Sequence, residues 1–244
     1  DPDHVLWEFR RSRELGFNVV RFHTADPKPT SPGTFDFTRT DDWLALADKA
    51  DLLVIPHFRL VPDGATLEAH GLTLEAYAAS YLDDEASLAA LADHIRPMVE
   101  HLAGHPRIFA WTAGGEPNAG QADLSDEEDR RRFGEWLRGR YVTVEALDAA
   151  WNLYPERGTT IVPSFEEAWR ALAGFSADPT VSGAHRAKVN YGAARDMVRF
   201  FTDKFIARER AKVECFRRHD PSRPVLIGSH QLLVNQPALR WDLP

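Results

Sequence analysis

A chain of 244 residues, 43% hydrophobic and 27% charged, holds enough apolar material for a sizeable core, in one large domain or two small ones. Its net charge of −8, with no basic cluster set among aromatics, argues against nucleic acid as a partner. No apolar stretch is long enough to span a bilayer, and the opening DPDHVLWEF does not read as a signal peptide. The single cysteine, Cys215, excludes an internal disulfide and a multi-cysteine zinc site, and beside Phe216 in a helical run it reads as a packed thiol. These features leave the compartment open, with a lean toward the cytoplasm, and call for no cofactor.

Strand and helix signals alternate along the chain. Residues 3 to 16 carry Val5, Leu6, Phe9 and Leu15 at helical spacing, and Gly16 ends the run. Asn18 to His23, NVVRFH, reads as a buried strand; a polar, proline-rich loop follows, and 41 to 50 reads as a second helix. Leu52 to Phe58, LLVIPHF, is the next strand, and 84 to 104 an amphipathic helix. The turn GHP introduces the IFAW strand, which ends in two glycines and Glu116.

From about 119 to 182 the alternation is interrupted by helical pieces, with capping signatures at Ser125/Glu128 and Ser164/Glu167. A long helix is expected from about Lys188 to His219, and Pro224 to His230, PVLIGSH, is a fourth strand. This order implies parallel strands with crossover helices. The expected fold is α/β, an eight-fold (β/α) barrel of the TIM type with a helical excursion after the fourth barrel strand. A doubly wound sheet is the alternative, weakened because no glycine-rich phosphate loop opens a helix.

In such a barrel the chemistry sits at the C-terminal ends of the strands. Glu116 is placed there, where a glycosidase needs a carboxylic acid to protonate the leaving oxygen; the plainer reading is a helix cap or an ion pair. Arg21, in a strand of Val and Phe, needs a partner, either the active carboxylates or a structural acid such as Asp26 or Asp36. His23, His57 and His230 fall near strand ends and suit a wall that donates to sugar hydroxyls. They also suit a metal trio, although no H-x-H or H-E-x-x-H spacing supports one, and His57 beside Pro56 also fits a core position. Trp111 and Trp151 are candidates for stacking on a pyranose, whereas Trp136 and Trp169 read as core. Asp41, Asp42, Asp83, Asp84 and Glu85 read as acids at helix N-termini, and EEDRRR (127 to 132) as a solvated helix face.

The order NVVRF, then IFAW ending in a glutamate, resembles the clan A glycoside hydrolases, which are eight-fold barrels. FGEWLRGRYVTVEALDAAWN (133 to 152) is similar to the family 42 β-galactosidase pattern, in which WL-x-x-x-Y-G-T leads to L-N-x-A-W-G. Trp136, Leu137, Tyr141, Thr143, Leu147, Ala150 and Trp151 match it in place, and RRHDPSRPVLIGSH is similar to the family's path into its fifth strand. The resemblance implies a retaining glycosidase acting on β-galactosides or related β-glycosides. Glu116 would be the acid/base at the end of the fourth strand, and Arg21 the second-strand arginine that steadies the nucleophile. It also implies a carbohydrate substrate and a homotrimer.

The sequence departs from the family at several points. The family places an asparagine just before the acid/base, to hold the sugar's 2-hydroxyl; here that residue is Gly115, and Asn118 is the candidate substitute. The family's cysteine-built zinc site has no counterpart in a chain with Cys215 alone. By this alignment the chain carries about strands two to five, residues 1–244 forming part of one catalytic barrel domain, and the nucleophile of the seventh strand would follow Pro244. Gly115 and the missing nucleophile leave open a non-catalytic carbohydrate-binding barrel. The strand-end histidines leave open, further off, a metal-dependent hydrolase.

Overall fold

The computed structural model describes residues 1–23, 28–31, 34–57, 59–80, 82–114, 124, 127–152, 161–172 and 190–227. The chain divides into two compact units, one of Asp1–Pro117 with Ala207–Ser229 and one of Asn118–Ile206 with His230–Pro244.

The first unit opens with helix α1 (Pro2–Glu14), where the Asp1 side chain accepts from the Asp3 N–H and proline occupies the first turn. Gly16, at φ +93°, supplies the left-handed turn that releases the chain into strand β1 (Val19–His23). The proline-rich segment expected as a loop contains a short antiparallel pair, β2 (Lys28–Ser31) and β3 (Thr34–Asp36). Helix α2 (Thr38–Lys49) and strand β4 (Leu53–His57) follow. Two short helices then appear that apolar periodicity did not signal, α3 (Gly64–Ala69) and α4 (Leu74–Ala79). Each begins at a side-chain cap, Asp63 accepting from Thr66 N and Thr73 from Ala76 N. Helix α5 (Glu85–Leu102), capped by Asp84, leads to strand β5 (Trp111–Thr112). After the second unit, the last part of helix α8 (Tyr191–His219) returns to the first unit and delivers strand β6 (Val225–Leu226).

The four principal strands are parallel and lie side by side in chain order. β1 pairs with β4 from Val19↔Leu53 to His23↔His57. β4 meets the segment entering β5 through a parallel bridge, Val54↔Ile108, with Phe109 N donating to Val54 O at 2.9 Å. β5 pairs with β6, Trp111 opposite Val225. A doubly wound sheet reverses its strand order at a switch point; a barrel does not. The progression β1-β4-β5-β6 is that of the TIM-type fold.

Because side chains alternate across a strand, the sheet has two unlike faces. Phe22 meets Phe9 of α1 and Trp43 of α2, with ring centroids 5.8 and 5.0 Å away. Val54 belongs to the same buried cluster, with Leu44, Leu52, Leu91, Ile95, Met98, Leu102, Trp111 and Phe216. Arg21, His23 and His57 occupy the alternate positions, so they lie on the face away from Phe22 and Val54.

The second unit is helical in its described residues: α6 (Glu127–Tyr141), α7 (Val144–Trp151), a 3₁₀ turn (Ala168–Leu172) and the first part of α8. Its core gathers Phe133, Leu137, Leu147, Trp151, Phe165, Met197 and Phe200. Ser164 Oγ does accept from Glu167 N at 3.3 Å, but it opens the 3₁₀ turn rather than an α-helix. Ser125 lies outside the described residues. The EEDRRR run is only partly the solvated face expected of it. Glu128 pairs with Arg131 and Arg132 in the open, while Asp129 is buried and paired with Lys204 of α8.

Candidate functional site

Three of the residues singled out from sequence meet at the C-terminal ends of β1 and β4. The parallel register sets His23 directly opposite His57 and Arg21 one step back, opposite Ile55. The two imidazole centroids are 4.1 Å apart. His57 Nδ1 lies 3.2 Å from His23 Nε2 and 3.2 Å from Arg21 Nη2. Arg21 and His23 are exposed and His57 is half-buried. Arg21 therefore turns to an imidazole, while Asp36, one of the structural acids considered for it, accepts from Thr38 N at the head of α2. Burial, then the charge of Arg21, then His23, all disfavour a proton on His57 and draw its pKa from 6.5 down to about 4. The site thus presents a neutral imidazole beside a permanent cation at neutral pH.

This arrangement suits hydrogen bonding to a polar ligand. A guanidinium 3.2 Å from the would-be ligand nitrogen would repel a cation held there. Among the described residues, no group of three or more His, Cys, Asp or Glu side chains is gathered as metal ligation requires.

The tryptophans correct the sequence reading. Trp111 is fully buried, stacks on Phe216 at 6.0 Å and donates its indole N–H to Asp220 Oδ2 at 3.0 Å. Trp151 is buried in the second unit and donates to Asp196 Oδ2 at 3.0 Å. Neither offers an open ring face to a sugar, because each spends its faces on packing and its one polar atom on a carboxylate. Asp220, passed over in the DPSRP turn, is the group that holds the β5 tryptophan. The turn itself carried a signal, since an Asp two residues before a Ser favours a local side-chain-to-backbone bond, and Ser222 N donates to Asp220 Oδ1 at 3.1 Å.

Glu116, Asn118 and His230 lie outside the described residues. The chain leaves β5 through Gly114 at φ +147°, a conformation open to glycine and strained for other residues, two positions before Glu116.

Comparison with known proteins adds the following. A curated beta-galactosidase LacZ from Heyndrickxia coagulans is 23% identical over 248 residues, covering 94% of this chain and 35% of the relative. A beta-galactosidase from Arthrobacter sp. is 27% identical over 129 residues, 53% of this chain and 17% of the relative. The crystal structure of beta-galactosidase from the psychrophilic Marinomonas ef1 superposes with a TM-score of 0.59 at 19% identity, covering 92% of this chain and 35% of that one, which shows a shared fold. The chain therefore spans about a third or less of the length of these relatives. The model of glycoside hydrolase family 42, described as beta-galactosidase, matches residues 76–241, more than half of the chain, and the chain belongs to that family.

Proposed function

We propose that this chain is the strand-two-to-five portion of the catalytic barrel of a retaining glycosidase that acts on β-galactosides, with Glu116 as its general acid/base. The observation that carries the reading is the meeting of Arg21, His23 and His57 at the C-terminal ends of adjacent parallel strands in a family 42 chain. That end of a barrel is where substrate is handled. Glu116 follows β5 closely in sequence, and the segment entering β5 meets β4 through the parallel bridge Val54↔Ile108.

In this mechanism Glu116 in its acid form protonates the glycosidic oxygen as the bond to the anomeric carbon breaks. A second carboxylate, about 5–5.5 Å away, takes that carbon and holds the glycosyl group covalently. Glu116, now ionised, removes a proton from water, which attacks and releases the sugar. By the family pattern the second carboxylate comes from a later strand than any described in this chain. Arg21, His23, His57, Asn118 and His230 together form the sugar site.

The test uses the complete protein that contains this chain, with aryl β-galactosides. Glu116→Gln is expected to lower turnover roughly 10²–10⁴-fold on substrates with poor leaving groups. Glu116→Ala, given an activated leaving group and azide, is expected to regain turnover and release β-galactosyl azide, since azide needs no general base. Wild-type protein that binds these glycosides without cutting them would sink the reading and leave a carbohydrate-binding barrel.

A further inference from the structure

Two contacts converge on one nitrogen. Arg21 Nη2 and His23 Nε2 each lie 3.2 Å from His57 Nδ1. A guanidinium only donates, so His57 Nδ1 must offer it a lone pair, and the proton of the neutral ring sits on Nε2. That lone pair also faces His23 Nε2. Two facing lone pairs would repel, so His23 Nε2 carries a proton and shares the acceptor with Arg21. A neutral His23 protonated at Nε2 has its own lone pair at Nδ1. The fixed charge of Arg21 thereby sets both tautomers in turn.

His23 is exposed at the last position of β1, on the face away from the packed helices. An acceptor there is selective in kind. It can take a hydrogen bond from a hydroxyl, but not from a carboxylate or phosphate oxygen, which offers only lone pairs.

We propose that Arg21 and His57 are positioning residues that hold His23 in its Nε2–H tautomer, and that His23 Nδ1 accepts a hydrogen bond from one hydroxyl of the bound glycoside. The proposal rests on the reading that this site takes a β-galactoside. It does not require that the protein cut it.

The first arm of the test needs no ligand. Two-bond nitrogen–proton correlation spectra of the complete protein, ¹⁵N-labelled at histidine and recorded at neutral pH, report the tautomers directly. Expected are unprotonated Nδ1 and protonated Nε2 in both His23 and His57. In Arg21→Met, His57 is expected to drift to a mixture of tautomers. A proton on His57 Nδ1 in the wild type overturns the proposal.

The second arm measures binding of a thio-β-galactoside, which is recognised without turnover. His23→Gln keeps a donor near the position of Nε2 but removes the acceptor. It is expected to weaken binding about tenfold, roughly the worth of one hydrogen bond. His23→Asn puts an amide oxygen near the position of Nδ1 and is expected to stay within about threefold of wild type. One monodeoxy analogue should bind wild type and His23→Gln equally, naming the hydroxyl concerned. The reverse order of the two variants, or no binding by the wild type, overturns the proposal. Binding with the expected order but without hydrolysis upholds it and fells the glycosidase reading alone.

Discussion

Trp111 donates its indole N–H to Asp220 Oδ2 at 3.0 Å, tying the strand that leads toward Glu116 to the turn that enters β6. The same oxygen accepts from Arg223 Nη1 at 2.8 Å, while Asp220 Oδ1 accepts from Ser222 Oγ at 2.6 Å. Arg223 also donates to the carbonyls of Ile108, His105 and Ala103. One buried carboxylate thus closes a clamp over the entrances of two neighbouring parallel strands. Asp220→Ala would leave the Trp111 N–H and the Arg223 charge short of their acceptor, and breaking such a buried pair costs about 3–5 kcal/mol. Urea denaturation should register that loss. A change below about 1 kcal/mol would show that the clamp is dispensable.

The clamp carries its own acid sensitivity. Burial pushes the Asp220 carboxyl upward, but hydrogen bonds from Ser222, Arg223 and Trp111 outweigh it and bring the pKa from 3.8 to about 2. Between those values the unfolded chain binds a proton that the native state does not. The stabilisation is therefore complete above about pH 3.8 and lost as the pH falls toward 2. The stability difference between wild type and Asp220→Asn should shrink across this window; a difference that holds constant would mean the charge contributes nothing.

His57 titrates in a different window. Its native pKa of about 4 lies below its ordinary 6.5, so between these values the unfolded state takes up a proton that the folded state refuses. The sign follows: stability attached to His57 is at its full value above pH 6.5 and declines on acidification to about 4, below which it is level. Proton NMR of the folded protein should show His57 titrating near 4, and His57→Asn should flatten the decline. A His57 midpoint near 6.5 would mean that neither burial nor the charge of Arg21 holds the proton off the ring.

In the second unit Asp196, fully buried on α8, accepts from the Tyr141 hydroxyl and from Trp151 Nε1 at 3.0 Å. Arg195 Nε lies 3.3 Å from its other oxygen. Tyr141 and Trp151 end α6 and α7, so one carboxylate gathers three helices. Burial, then the bond to Asp196, raises the Tyr141 pKa. Tyr141→Phe removes one donor from a buried charge and should cost about 1–3 kcal/mol. Thermal unfolding checks it, and an unchanged midpoint would show that Asp196 is satisfied without the tyrosine.

What the sequence makes legible here is local. α1, α2, α5 and α8 announce themselves by apolar spacing, and Asp84 is indeed the α5 cap, accepting from Ser87 N at 2.8 Å. NVVRFH and LLVIPHF hold β1 and β4 because β-branched runs of that length suit buried parallel strands. The β2/β3 pair stayed hidden because its strands are short and the first carries Pro29. The roles of single side chains depend on partners far along the chain. Trp111 finds Asp220 109 residues away, Asp129 finds Lys204 75 residues away, and Arg21 finds His57 36 residues away. No periodicity encodes those meetings. The third becomes legible only once the parallel register of β1 and β4 is known.

Gly192 shows how tertiary contact overrides helix propensity. It sits in the first turn of α8, where alanine would ordinarily favour the helix by about 1 kcal/mol. A Cβ at that position would stand 2.8 Å from Trp151 Cα and 3.2 Å from the Ala150 carbonyl oxygen. Those atoms are backbone, so the end of α7 must move rather than a side chain swing aside. Overpacking of this kind costs about 1–3 kcal/mol, and Gly192→Ala should be destabilising on balance, by about 1–2 kcal/mol. Gly139 in α6 is the matched control, because a Cβ there meets nothing within 4 Å. Gly139→Ala should stabilise by up to about 1 kcal/mol. Opposite signs in chemical denaturation are the expected outcome. Two gains would mean that α7 and α8 are not held together at Trp151.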